Sequence, residues 1–338
     1  RIMRILVIGA GAIGGMMAAK LAMGEGNNEV SVVDMGAHLK AIETNGLKLI
    51  WEDGSEIVAD NIKAYSKISE AGEQDLVIFA LKAQYMASVA SELKAVLGDD
   101  TMLMTVQNGM PWWYFQKHGG PYDGRRLETL DPDGTLEANI DPKHIVGCVV
   151  YPAAAVVENG VVKHVEGDRF PIGELDGSDS PRIQALFDVL VGAGFRSRIL
   201  DNIRSEIWLK AWGNLSFNPI SALSHATLES ICIFPETRLL AQHMMEEAQE
   251  VGHKLGIEFR HTIEKRIDGA QSVGSHKTSM LQDVEAGRSL EIEALVGSII
   301  EMARITDTPT PHIDAVYACT KLLNRTMERA EAGVAVKG

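Results

Sequence analysis

The sequence predicts an α/β domain built on a doubly wound parallel sheet, joined to an all-α C-terminal domain. Three observations carry this reading: a strand, a glycine turn and a helix in direct succession at the N-terminus; apolar runs alternating with helical segments through the first half; and a series of 3.6-period apolar faces after Asp201. The expected limits are 1–201 for the first domain, with an irregular excursion at 111–140, and 202–338 for the second. A chain of 338 residues, 46% hydrophobic, is long enough for two separate cores.

The first domain opens with the β-branched run Arg4–Ile8, which leads into Gly9-Ala10-Gly11-Ala12-Ile13-Gly14 and then the apolar helix pattern 16–22. That succession is the Rossmann-type dinucleotide signature. Gly9 turns the chain tightly, Gly11 lets the backbone approach a pyrophosphate, Gly14 packs helix on strand, and the N–H groups at Ala12 and Ile13 begin a helix whose positive end faces the phosphates. A second strand at 29–33 ends in Asp34, where an acidic side chain accepts hydrogen bonds from the adenosine ribose and repels a 2′-phosphate. NAD(H) is therefore favoured over NADP(H), with His38 and Lys40 the nearby basic groups.

Further strands are expected at 62–65, 75–80 and 101–106, with a helix at 87–97. Lys82 and Asn108 follow two of these strands at their carboxyl ends, where ligands of such sheets lie, although each also suits a loop or turn. Proline, glycine and turn dipeptides then dominate the excursion. Its four consecutive aromatics, Trp112 to Phe115, form either a local core or a lid, the former being simpler. Strands at 145–151 and 161–165, joined by an Asn159-Gly160 hairpin turn, a strand at 170–173, a helix at 181–193 and a short strand at 196–200 complete the domain.

In the second domain, helices are expected at 203–215, 236–255, 263–269, 290–305 and 313–330. The stretch 206–219, which runs on from the first of them, carries Lys210, Asn214 and Asn218. A step of four residues turns a helix by ~40°, so Lys210 and Asn214 share a face with Asn218 slightly round it, and Pro219 closes the pattern. On its own, Lys210 between Trp208 and Trp212 reads as a stem laid on aromatic surface. Downstream of a nicotinamide-binding fold it reads as a proton donor to a developing alkoxide, with a carboxylate such as Glu291 holding it in position.

The chain resembles the ketopantoate reductase (2-dehydropantoate 2-reductase) family. The likeness runs through Gly9-Ala10-Gly11-Ala12-Ile13-Gly14, Leu81-Lys82-Ala83, Gln107-Asn108-Gly109, Lys210, Asn214, Asn218-Pro219, Ser279-Met280-Leu281-Gln282-Asp283 and Glu291, and covers nearly the whole chain. It implies Lys210 as general acid, with Glu291 on the reacting group or on Lys210. It places the substrate's hydroxyl and carboxylate on Asn214, Asn218 and Ser279, and Lys82 and Asn108 at the nicotinamide. The chain departs from the family in its long excursion and in Asp34, since the family usually takes NADPH on a basic residue there. A small 2-oxo or 2-hydroxy acid is the expected substrate. Related dehydrogenases of other hydroxy acids, opine-type dehydrogenases and a non-catalytic NAD-binding regulator are the alternatives.

The net charge of -14 argues against nucleic-acid and anionic-membrane partners. No apolar stretch approaches the ~20 residues of a membrane span, and no signal-peptide pattern opens the chain, so a cytoplasmic protein is expected. Cys148, Cys232 and Cys319 are scattered and read as buried small apolar residues. The histidines show no metal-ligand spacing. Apolar helix faces in the second domain could build a homodimer or pack within the domain.

Overall fold

The computed structural model describes residues 2–337, which divide into two compact units, one ending at Ile203 and the other beginning at Arg204. In the first, β1 (Arg4–Ile8), α1 (Ala12–Met23), β2 (Glu29–Val33) and α2 (Gly36–Asn45) are followed by β3 (Leu47–Ile50), β4 (Glu56–Ala59) and β5 (Lys63–Tyr65). Next come β6 (Gln74–Phe79), α3 (Ala83–Met86), β7 (Leu97–Thr105), α4 (Thr135–Asn139), β8 (Ile145–Cys148), β9 (Ala153–Glu158), β10 (Val161–Glu166), β11 (Ile172–Glu174) and α5 (Pro181–Gly192).

Seven strands form the main sheet in the order β11-β8-β7-β6-β1-β2-β5, all parallel except the β11 edge. Ile5 to Ile8 of β1 are at most 2% exposed, because a parallel sheet is covered on both faces and its central strands show no alternation. The strand order reverses between β1 and β6, so the loops after these two strands lie at the switch point where such sheets bind ligands.

A second, four-stranded sheet, β4-β3-β10-β9, was not among the sequence expectations. It explains why α1 is apolar on every side. A Cβ added at Gly15 of α1 would stand 2.8 Å from Cγ2 of Val162 on β10, so the helix is buried between two sheets rather than laid on one. The hairpin turn at Asn159-Gly160 forms as expected, but it joins β10 to β9, while 145–148 enters the main sheet. The expected helix at 87–97 is a 3₁₀ stretch, Ala87–Ala95, and the strand at 196–200 is reduced to two isolated bridges. Trp112 to Phe115 are at most 4% exposed and Trp113 Nε1 donates to Thr105 Oγ1 of β7 at 3.1 Å, so these aromatics are core.

The second unit is helical: α6 (Ile203–Ser224), α7 (Leu228–Ile233), α8 (Pro235–Lys254), α9 (Ile263–Val273), α10 (Ser279–Ala286), a π-helical turn at Glu293–Gly297, α11 (Ser298–Ile305) and α12 (Pro311–Ala330). Pro219 does not end α6, which continues to Ser224 with Pro219 inside it. Proline removes its own N–H bond and crowds the carbonyl four residues back, and the burial of Phe217, Ile220 and Ala222 to 4% exposure or less holds the helix across that gap. The apolar faces of α8 and α12 bury Met244, Met245, Val251, Ile313 and Met327, so packing inside the unit accounts for their periodicity. Cys148 and Cys232 are buried, but Cys319 is exposed because it falls on the polar side of α12. No described helix is long and apolar enough to cross a membrane.

Candidate active site

The loop after β1 is shaped by what its glycines exclude. Gly9 has φ +93°, and a Cβ there would meet the Ala80 carbonyl oxygen after β6 at 2.9 Å; one at Gly14 would stand 1.9 Å from the Gly9 carbonyl oxygen. Gly11 differs: a Cβ there would meet nothing within 4 Å. The backbone is therefore crowded where helix and strands pack and open at Gly11, the N-cap of α1, beside the unpaired N–H groups of the first helical turn. This cradle fits the pyrophosphate of a dinucleotide.

Asp34 closes the loop from the end of β2. Its Oδ2 accepts from the Ala10 N–H at 2.8 Å and its Oδ1 from the Met35 N–H at 2.8 Å, which leaves each oxygen further acceptor capacity for ribose hydroxyls. Met35 is 79% exposed beside it. His38 does more than its sequence position suggested: its ring lies 2.6 Å from the Ala10 carbonyl oxygen through Nε2, and Nδ1 accepts from the Gly160 N–H at 3.0 Å. Both ring nitrogens are engaged with backbone. Lys82 is the half-buried N-cap of α3 beyond β6, and Asn108 is half-buried in the turn beyond β7, so both stand at the carboxyl edge of the sheet.

In the second unit, Lys210 and Asn214 are half-buried on one face of α6, and Asn218 is 8% exposed one turn further on. The tryptophans do not flank Lys210 as the sequence order suggested. A two-residue step turns a helix by ~200°, which sends both rings to the opposite side. There Trp208 and Trp212 are fully buried and pack on Phe259, the latter stacked at 4.4 Å. They anchor the helix from behind. A Cβ on Gly213 would meet Nη2 of Arg266 at 2.1 Å, so this glycine admits the Arg266 guanidinium, which lies 5.5 Å from the Phe217 ring centroid.

Asn218 Nδ2 donates to Oγ of the exposed Ser279 at 3.5 Å, joining two of the predicted residues across α6 and α10. Beneath that contact runs a hydroxyl relay that the sequence did not reveal. Thr278 caps α10 by accepting from the Leu281 N–H at 3.1 Å and is hydrogen-bonded to Ser221, whose hydroxyl donates to the Asn218 carbonyl at 2.8 Å. Glu291 is half-buried immediately ahead of the π-helical turn. Within that turn, Glu293 accepts from the Tyr317 hydroxyl at 2.6 Å, and Lys321 donates to the same hydroxyl at 3.1 Å. Burial, then the bond to Glu293, pushes the Tyr317 hydroxyl above its ordinary value. π-Helical turns recur at functional sites, and in this one the Leu295 N–H donates to the Glu291 carbonyl at 3.1 Å.

A glycine loop at the switch point of a parallel sheet, followed by a helical unit that carries a lysine, two asparagines and a serine on neighbouring surfaces, defines a nicotinamide-dependent oxidoreductase. Comparison with known proteins narrows the class. The model described as "Ketopantoate reductase PanE/ApbA" matches residues 5–112, and its C-terminal counterpart matches 202–324. A 2-dehydropantoate 2-reductase of Mesorhizobium japonicum is 50% identical over 95% of this chain and 98% of its own. A crystal structure from Ralstonia solanacearum MolK2 superposes with a TM-score of 0.91 at 36% identity, covering 97% of this chain and 99% of that one. The ternary structure of D-mandelate dehydrogenase with NADH and anilino(oxo)acetate superposes with a TM-score of 0.80 over 96% of this chain and 99% of that one; at 21% identity it shares the fold alone. The chain belongs to the ketopantoate reductase family, whose members are oxidoreductases acting on a CH–OH group.

Proposed function

We propose that this chain reduces 2-dehydropantoate, or a 2-oxo acid of similar size, to the 2-hydroxy acid with NADH, and that Lys210 is the general acid. The observation that carries the reading is the shared face of Lys210, Asn214 and Asn218 on α6, with Asn218 tied to Ser279 of α10. The nicotinamide, when bound, supplies hydride to the carbonyl carbon. The Lys210 ammonium gives one proton from Nζ to the carbonyl oxygen, so that the C=O becomes CH–OH and the lysine is left neutral until solvent reprotonates it. Glu291 orients Lys210 or the reacting group. Asn214, Asn218 and Ser279 donate to the substrate's hydroxyl and carboxylate oxygens, while Lys82 and Asn108 line the nicotinamide end. In the oxidative direction the neutral lysine acts as base.

NADH is the cofactor we favour because Asp34 follows β2, where an acidic side chain suits the ribose hydroxyls and repels a 2′-phosphate. Both nitrogens of His38 are already bonded to backbone, which removes that ring as a phosphate partner. Steady-state rates on 2-dehydropantoate with NADH and NADPH test the assignment together with Lys210. The native enzyme should show kcat/KM at least about tenfold higher with NADH, and Lys210→Ala should lower kcat by about 100-fold or more with NADH affinity retained, since general acid catalysis contributes 10²–10⁴. Preference for NADPH removes the Asp34 reading, and near-normal turnover of Lys210→Ala removes the lysine.

A further inference from the structure

We propose that His38 is a positioning residue for the cofactor loop, holding the Ala10 peptide in the orientation that binds the dinucleotide. The inference rests on the reading of residues 9–14 as the cofactor cradle, and it begins from proton bookkeeping on one ring. A backbone N–H can only donate, so Nδ1 of His38, which faces the Gly160 N–H at 3.0 Å, is the bare nitrogen. The ring's single proton is then on Nε2, which donates to the Ala10 carbonyl at 2.6 Å. On the other side of the same residue, the Ala10 N–H donates to Asp34 at 2.8 Å. Both polar groups of Ala10 are thus committed to side chains beyond the loop, one from the end of β2 and one from α2.

Ala10 stands between Gly9, which requires φ +93°, and Gly11, whose open face approaches the phosphates. One glycine on each side of a single alanine gives a backbone with many conformations of similar energy. Fixing the Ala10 carbonyl selects one of them, and with it the direction in which the Gly11 peptide points. The far end of the clamp is itself anchored: Gly160 donates to His38, accepts through its own carbonyl from the Lys48 N–H at 2.9 Å, and packs so closely on α2 that a Cβ there would stand 3.1 Å from Cβ of Ala41. The β9–β10 turn of the second sheet therefore braces the histidine that α2 extends to the dinucleotide loop. His38 touches neither the reacting carbonyl nor the hydride in this scheme, so it acts on cofactor affinity alone.

The two bonds can be separated by substitution. A glutamine amide replaces the Nε2 donor and leaves Gly160 without its acceptor, whereas an asparagine carbonyl replaces the Nδ1 acceptor and leaves Ala10 without its donor. The test is NADH and NADPH affinity by nicotinamide fluorescence titration, with kcat on 2-dehydropantoate at saturating cofactor, for the native enzyme and for His38→Ala, His38→Gln and His38→Asn. His38→Ala should weaken both cofactors by about tenfold in equal proportion with kcat within about twofold, and His38→Gln should recover most of that loss while His38→Asn does not. Unchanged cofactor affinity in His38→Ala overturns the proposal, as does better recovery by asparagine than by glutamine. If His38→Ala does not fold, the order of glutamine and asparagine decides alone. A native preference for NADPH would defeat the Asp34 reading without touching this one, because the clamp acts on a loop that both cofactors share.

Discussion

The glycine loop after β1 and the polar face of α6 are built from different materials. In the loop, the groups expected to meet the ligand are backbone N–H groups, and side chains from elsewhere, Asp34 and His38, hold the backbone in place. On α6 the order is inverted: a regular backbone presents side chains, and hydroxyls from Ser221 and Thr278 hold the Asn218 and Ser279 positions. The first region is therefore sensitive to atoms added to the chain, and the second to atoms removed from it. Each inverts the other's vulnerability.

The loop offers the larger test, because Gly14, read as a packing glycine, and Gly11, read as a ligand glycine, should behave differently. Gly14→Ala puts a Cβ 1.9 Å from the Gly9 carbonyl oxygen, a rigid backbone atom, and should destabilise the fold by about 3 kcal/mol or more, read as a fall in Tm or loss of soluble protein. Gly11→Ala adds the same methyl where nothing lies within 4 Å and where φ is -75°, so it should cost no more than about 1 kcal/mol of stability. Its cost should fall on NADH affinity instead, weakened by about tenfold because the methyl enters the space over which the pyrophosphate approaches. If Gly11→Ala unfolds the protein, or leaves NADH affinity unchanged, the distinction between packing glycine and ligand glycine fails.

The same inversion explains what the sequence disclosed. Strand, glycine turn and helix are consecutive, so the loop's outline was readable, and so was the face shared by Lys210, Asn214 and Asn218, since helical period is a local property. The supports were hidden. His38 bonds the backbone of Ala10 and Gly160, and backbone groups carry no residue identity that a pattern could match. β3 and β4 are four-residue strands in which five of the eight side chains are partly or fully exposed, and β3 finds its parallel partner, β10, far along the chain. Trp208 and Trp212 were misplaced because adjacency in sequence is not adjacency on a helix. α10 went unread although its ends carried signals: Thr278 as N-cap and Gly287, φ +71°, as its left-handed stop.

Those signals lead to the smaller test, in the second region. Thr278→Val keeps the side-chain volume but removes the oxygen that accepts from the Leu281 N–H and bonds Ser221. Loss of a threonine cap should cost about 1 kcal/mol, a fall in Tm of about 2–4 °C. Because Ser279 is the first residue of α10 and Asn218 is held through Ser221, both of the proposed substrate contacts should loosen together. The KM for 2-dehydropantoate should then rise about threefold to tenfold while NADH affinity stays as in the native enzyme, the mirror image of Gly11→Ala. Thr278→Ser, which keeps the hydroxyl, should restore both stability and KM. Were Thr278→Val to weaken NADH as much as substrate, the loop and the helix face could not be independent supports, and the contrast between a backbone-built and a side-chain-built region would have to be abandoned.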